Sequence, residues 1–198
     1  MLGKLSAKIA AHLCETATIA KEDEELYAYG FFIILSRLLF LFISAICGLI
    51  LHVAIESIVF FVFFCLIRSY AGGIHASSEF KCTFYTTGAL IICIFNIKCF
   101  IWYNLDYILT GILVLASTCV LAFAPLDSLE KPLSKRDKKY YKKVTWIITA
   151  SVVALIIIFY FLKLKNLSIS CIVSLALESI LLIAGKIKEH VTDSIFKT

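Results

Sequence analysis

The stretch FFIILSRLLFLFISAICGLIL, residues 31–51, decides the fold class because Arg37 is its only charged residue. Apolar runs of about 18 residues or more are the sequence signal of a helix that crosses a lipid bilayer. The whole chain shares this bias. Of its 198 residues, 61% are hydrophobic and 17% are charged, whereas a soluble domain is about 25% charged. The composition therefore predicts an all-α membrane protein.

Five further apolar runs predict the other membrane segments. They cover residues 53–67, 83–97, 107–124, 144–162 and 167–185. We predict a polytopic transmembrane helical bundle of about six membrane segments, forming a single integral membrane domain over residues 1–198. The second and third runs are short for a hydrocarbon core that needs about 20 residues. One or both of these segments could be tilted or re-entrant, which requires protein or water around the backbone.

Residues 1–28 precede the first span and predict an amphipathic surface helix. Apolar side chains recur there at roughly helical spacing: Leu2, Leu5, Ile9, Leu13 and Ile19. Such a helix can lie on the membrane or pack on the bundle from the cytosol, and the sequence does not separate these alternatives. The acidic residues 22–25 are unlike the cleavage region of a signal peptide, so the segment is expected to remain in the protein.

The basic residues predict the orientation in the membrane, because short cytoplasmic loops carry an excess of Lys and Arg. With six spans, fifteen Lys and Arg residues fall on one side and three on the other. The larger group contains both termini, Arg68, Lys81 and the segment 125–143, which we predict to be a basic cytoplasmic loop. We therefore expect a multi-pass protein of the bacterial cell membrane with both termini in the cytoplasm.

The remaining composition excludes several function classes. No nucleic-acid-binding motif or basic stripe is evident in the sequence. The eight cysteines contain no CxxC pair, so neither a disulfide framework nor a zinc site is indicated. Most of these cysteines lie in apolar runs, where a cysteine behaves as a small buried hydrophobe. We expect no metal and no cofactor.

The segment RSYAGGIHASSEFKC, residues 68–82, is the candidate catalytic segment because it places a histidine close to a cysteine. On one continuous helix, His75 and Cys82 would be about 10.5 Å apart. A thiol and its general base need roughly 3 Å, so the backbone must turn between them. Gly72 and Gly73 provide the break, since glycine tolerates positive φ.

A new helix after this break would place the thiol favourably. Ser77 or Ser78 can serve as the N-cap, and Cys82 would then lie in the first turn, where the helix terminus favours a thiolate. Other interpretations remain open at this stage. His75 and Cys82 could contribute to a metal site, although two ligands are too few. The glycines could serve helix packing.

The alternative functions belong to other classes. In a small transporter or exporter, Arg37 and Glu56 within the spans would be pathway residues, or they could form a structural ion pair. In a non-enzymatic membrane scaffold, neither His75 nor Cys82 would have a chemical role. Arg68 could simply extend its charged head to the interface.

The segment 68–82 resembles the core motif of the accessory gene regulator B (AgrB) family of membrane endopeptidases, which process quorum-sensing propeptides. Arg68, Gly72, Gly73, His75 and Cys82 fill the positions of that motif. The stretch APLDSLEKPLS, residues 124–134, resembles the Ala-Pro and Lys-Pro loop of the family. Length, span number and charge distribution also agree, so the resemblance covers essentially the whole chain.

The resemblance implies an activity, a substrate and site residues. The expected substrate is an AgrD-type precursor with an acidic C-terminal tail, cleaved through a Cys82 thioester and then closed into a lactone or thiolactone ring. Arg68, Gly72 and Gly73 are candidates for oxyanion or substrate contacts, and Ser77, Ser78 or Asp127 for orienting the imidazole. The family also implies a homodimer. Basic residues are expected to bind either the acidic tail or anionic lipids: Lys131, Lys135, Arg136, Lys138 and Lys139.

Overall fold

Every regular element in the described part of the chain is helical. The computed structural model describes residues 2–16, 18–73, 79–126 and 134–195, and the side chains of 79, 80, 82 and 191–195 lie outside that description. The helices found there are α1 (Leu2–Glu15), α2 (Glu24–Ile50), α3 (Ala54–Ala71), α4 (Glu79–Tyr103), α5 (Asp106–Phe123), α6 (Lys135–Phe161) and α7 (Lys165–Ile195). A short 3-10 turn, Lys21–Asp23, precedes α2.

Six of these helices, α2 to α7, are long and apolar enough to cross a membrane, which confirms the predicted polytopic helical bundle. The two runs that looked short extend beyond their apolar centres. Helix α3 has 18 residues and α4 has 25, and both are continuous. Both helices are therefore long enough to cross a membrane without a break. The apolar runs are shorter than the helices because polar residues such as Arg68 and Lys98 continue the helices beyond them.

Residues 1–43 and 44–198 form two compact units. In the first unit, α1 ends at Glu15, well before residue 28, so the predicted amphipathic segment is not one helix. The end has a local cause: the backbone N–H groups of Thr18 and Ile19 both donate to the carbonyl oxygen of Leu13, at 2.9 and 3.4 Å. This turn satisfies a helix-end carbonyl that would otherwise lack a partner.

Helix α7 lies at the centre of the second unit. It packs against α3, α4, α5 and α6, and 67% of its most apolar window is buried. Small side chains on α7 allow its neighbours to approach closely, as is usual for helices in membranes. The buried ones are Ser168, Ser170, Cys171, Ser174 and Ser179.

Contacts between helix ends define the two ends of this unit. At the first, called the glycine end, the backbone N–H of Leu126 donates to the carbonyl of the last residue of α3 at 2.9 Å. At the opposite end, Lys165 Nζ lies 2.7 Å from Asp106 Oδ1, and Asn166 Nδ2 donates to Glu56 Oε1 at 3.1 Å. Helices α3 and α5 therefore both finish at the glycine end, as alternating spans require.

Candidate functional site

Two glycines end helix α3 in conformations that other residues rarely adopt. Gly72 has a φ of 77° and Gly73 a φ of 144°. A Cβ on Gly72 would lie 2.6 Å from the carbonyl oxygen of Leu126, so glycine is required for space as well as for conformation. The Gly72 N–H donates to the Arg68 carbonyl at 3.3 Å. That bond occupies the donor, which argues against Gly72 as an oxyanion contact.

The segment around Pro125 packs directly on this twin-glycine turn, defined as Gly72 and Gly73. Ala124 and Leu126 are buried, and the Ala124–Pro125 peptide bond is cis. Besides its close approach to Gly72, Leu126 bonds to the end of α3 through its backbone N–H. The structure thus brings together the two stretches that carry the family resemblance, which are about fifty residues apart in sequence.

Arg68 lies in the last turn of α3 and holds the turn from within the bundle. Its Nη1 donates to the carbonyl oxygen of Gly72 at 3.1 Å. A Cβ on Gly73 would overlap the same guanidinium nitrogen. The Arg68 side chain is 24% exposed, so it is largely covered, unlike an arginine that only extends its head to the interface.

Glu178 of α7 is the acidic partner of this arginine. Its Oε1 lies 3.7 Å from Arg68 Nη1, and its side chain is 0% exposed. Neither carboxylate oxygen has a hydrogen-bond partner within the described residues. The sequence interpretation missed Glu178. A usable signal existed, because Glu178 is the only charged residue in the apolar run 167–185, and ionisable residues inside spans are functional candidates.

The two predicted catalytic residues are placed only in part. Helix α4 begins at Glu79, so the backbone of Cys82 lies in its first turn, where backbone N–H groups lack partners within the helix. The Cys82 side chain lies outside the description. Five other predicted site residues lie in the segments 74–78 and 127–133, which are also outside the description: His75, Ser77, Ser78, Asp127 and Lys131. The meeting of His75 and Cys82 stays a prediction.

The basic residues at the glycine end are helical rather than part of a loop. From Lys135 onward they form the first turns of α6, so the predicted loop 125–143 is shorter than expected. Ser134 is the N-cap: its Oγ accepts from the backbone N–H of Asp137 at 3.2 Å and donates to Asp137 Oδ2 at 2.7 Å. Four of the predicted basic contacts are exposed here: Lys135, Arg136, Lys138 and Lys139.

The remaining candidates carry less weight. Glu56 lies in the first turn of α3, at the end opposite the twin-glycine turn, and is hydrogen-bonded by Asn166. This placement gives it a structural partner rather than a position midway along a pathway. Among the described residues, no three His, Cys, Asp or Glu side chains are grouped so that they could hold a metal ion.

These features define a class: a multi-pass helical membrane protein in which a largely covered arginine, paired with a buried glutamate, bonds to a glycine turn at the same end as an exposed basic helix start. The family model described as "AgrB: Accessory gene regulator B" matches residues 6–182, and the chain belongs to this family. Membership connects it with agr quorum sensing and implies an AgrD-type propeptide as substrate.

Two relatives from Clostridium perfringens agree with this assignment. "Putative AgrB-like protein" of strain SM101 is 28% identical over 92% of this chain and 91% of its own length. "Putative AgrB-like protein 2" of strain 13 is 30% identical over 70% of this chain and 67% of its own length. No solved structure matches the chain.

Proposed function

We propose that this chain is a membrane cysteine endopeptidase that cleaves the C-terminal tail from an AgrD-type precursor, with Cys82 as nucleophile and His75 as general base. The family match over residues 6–182 carries the proposal, because it includes the entire segment 68–82. The local backbone supports it. The twin-glycine turn ends α3 two residues before His75, and Cys82 follows in the first turn of α4.

The other described cysteines are poorer nucleophile candidates. Cys14 is the one outside the spans, and desolvation together with the Glu24 carboxylate raises the pKa of its thiol, which disfavours the reactive thiolate. Five cysteines lie within spans and are only partly exposed, and the sixth is fully buried in α7: Cys47, Cys65, Cys93, Cys99, Cys119 and Cys171. Cys82 at a helix start is the better-placed thiol.

The proposed reaction has two acyl transfers. His75 accepts the thiol proton, and the Cys82 thiolate attacks a precursor carbonyl carbon. The C–N bond breaks, the protonated imidazole gives its proton to the leaving amine, and an acyl-enzyme thioester remains. A thiol or hydroxyl within the bound precursor then attacks that thioester, which forms the ring and returns Cys82 as a thiol. Exclusion of water keeps the acyl group available for this second step.

Backbone donors must stabilise the oxyanion of each tetrahedral intermediate. The Gly72 N–H is occupied, so we assign this role to first-turn N–H groups of α4. Arg68 positions the turn that precedes His75 rather than contacting the acyl group. Ser77, Ser78 or Asp127 would orient the imidazole, and the basic turns of α6 would attract the acidic tail of the precursor or anionic lipid headgroups.

The test uses the full chain in lipid vesicles with a synthetic AgrD-type precursor that carries a thiol in its ring segment. Cys82→Ala is expected to abolish release of the C-terminal fragment and the hydroxylamine-sensitive acyl-enzyme, because no thiolate remains to form it. The matched control is Cys99→Ala, a half-buried cysteine on the same helix, which should retain both. Fragment release by Cys82→Ala at the wild-type rate would overturn the proposal.

A further inference from the structure

Glu178 has three properties that bundle stability alone does not explain. It is fully buried in the second unit, neither of its oxygens makes a hydrogen bond of 3.5 Å or shorter within the described residues, and Arg68 Nη1 lies 3.7 Å from its Oε1. Burying a charge is unfavourable unless it is paired, and an apolar residue in its place is often better for stability. The position therefore calls for a role other than stabilising the bundle.

The contacts of Arg68 show what that role can be. The same nitrogen, Nη1, faces Glu178 on one side and donates to the Gly72 carbonyl on the other. It also occupies the space that a Cβ on Gly73 would take. The guanidinium thus lies between a carboxylate of α7 and the backbone of the twin-glycine turn, two residues before His75.

We propose that Glu178 is a positioning residue of the active site: through Arg68 it holds the twin-glycine turn in the conformation that directs His75 toward Cys82. The inference rests on the proposed function, since it assigns the geometry that makes the thiol reactive. In this role Glu178 acts through Arg68 and needs no contact of its own with substrate or reacting atoms. A guanidinium suits this task better than an ammonium group, because its planar, rigid geometry fixes the directions in which its nitrogens donate.

The experiment measures thiol reactivity and needs no precursor. The full chain in lipid vesicles is treated with iodoacetamide at neutral pH, and alkylation of each cysteine is followed by site-resolved mass spectrometry. In the wild type we expect Cys82 to react faster than the other cysteines, because His75 withdraws its proton. Glu178→Gln should slow alkylation at Cys82 by about tenfold or more, as expected when a reacting pair is displaced by about 1 Å.

The matched control is Glu189→Gln on the same helix, which breaks a pair with Lys186 at 3.0 Å and should leave the Cys82 rate unchanged. A second comparison separates positioning from packing. The double variant Arg68→Glu with Glu178→Arg keeps a pair between α3 and α7 but removes the donor to the Gly72 carbonyl. Compared with Glu178→Gln, we expect the double variant to regain thermal stability but not the fast alkylation of Cys82.

Each result leads to a decision. Equal reactivity of Cys82 and the other cysteines in the wild type would overturn the proposed function itself. If Cys82 is alkylated fast in the wild type and equally fast in Glu178→Gln, only the role of Glu178 is overturned. Recovery of both thermal stability and Cys82 alkylation in the double variant would overturn that role as well. If Glu178→Gln does not fold, Glu178→Asp is measured instead. It keeps the charge but withdraws the carboxylate by one methylene, and a wild-type rate would contradict the proposal.

Discussion

The single residue on which the geometry of the turn depends most directly is Gly73. Its φ of 144° lies outside the range of other residues, and an added methyl group would overlap the Arg68 guanidinium. We expect Gly73→Ala to lower the free energy of unfolding by about 1–3 kcal/mol through backbone strain and to reduce precursor cleavage strongly, since the bond from Arg68 to Gly72 is lost. Thermal unfolding and fragment release measure the two effects.

Gly88 of α4 provides the control because nothing lies within 4 Å of a Cβ added there. Gly88→Ala should keep activity and leave stability unchanged or raise it, as helix propensity favours Ala over Gly. Part of the cost at Gly73 comes from the Arg68 side chain, so Gly73→Ala combined with Arg68→Ala should destabilise less than the sum of the single changes. Strict additivity would contradict the overlap.

The residue scale also shows where sequence reasoning reached its limit. Positive φ at Gly72 and Gly73 was predictable because a twin glycine between helices has few other uses. The Arg68–Glu178 pair was not, because the partners are 110 residues apart and their contact depends on how α3 packs on α7. A charge in a span signals that a partner exists but does not identify it.

Among the elements, the first turns of α6 have a proposed role, attraction of the acidic precursor tail or of anionic lipid, that can be tested apart from catalysis. From Lys135 to Val144 the helix is about 13 Å long at 1.5 Å per residue, so its exposed basic side chains extend beyond the apolar part of the span. We expect replacement of four of them by Gln to raise the KM for an acid-tailed precursor in vesicles of neutral lipid, while kcat changes little. The four are Lys135, Arg136, Lys138 and Lys139.

The choice of neutral vesicles separates the two possible partners of these turns. Each basic residue contributes about 1 kcal/mol to attraction by an anionic surface, and that contribution is absent without anionic lipid. If the residues serve only lipid binding, the four-Gln variant will have an unchanged KM in neutral vesicles and differ only in anionic ones. A precursor with a neutral tail serves as the control, because its KM should be insensitive to the substitutions.

Element boundaries were the least predictable part of the helices. Hydropathy located all six spans, but α6 begins nine residues before the apolar run starts at 144. Ser134 and Asp137 form the cap that starts it there, and such a cap is a local polar signal that a hydropathy count does not detect. The predicted amphipathic helix 1–28 was likewise too long, because the turn after Glu15 depends on backbone hydrogen bonds, which apolar periodicity does not reveal.

At the scale of the whole molecule, the order of spans could be predicted and their packing could not. Each span is recognised from its own composition, whereas the central position of α7 depends on which helices its small side chains admit. The run of α7 differs from that of α5 by its serines and by Glu178, but these residues do not show which helices pack around them. Consequently the sequence identifies the segments 68–82 and 124–134 but does not predict that they touch. The contact between Leu126 and the end of α3 is seen only in the structure.

Orientation in the membrane is the last property on which the proposed chemistry depends, because a precursor made in the cell would reach this chain from the cytoplasm. The excess of Lys and Arg predicts that the glycine end is cytoplasmic. We expect Tyr107→Cys, at a position 96% exposed near the opposite end, to react with a membrane-impermeant maleimide in intact cells. Lys138→Cys should react only after the cells are permeabilised, and the unsubstituted chain gives the background from its own cysteines. Labelling in the reverse pattern would place the twin-glycine turn outside the cell and separate it from the precursor.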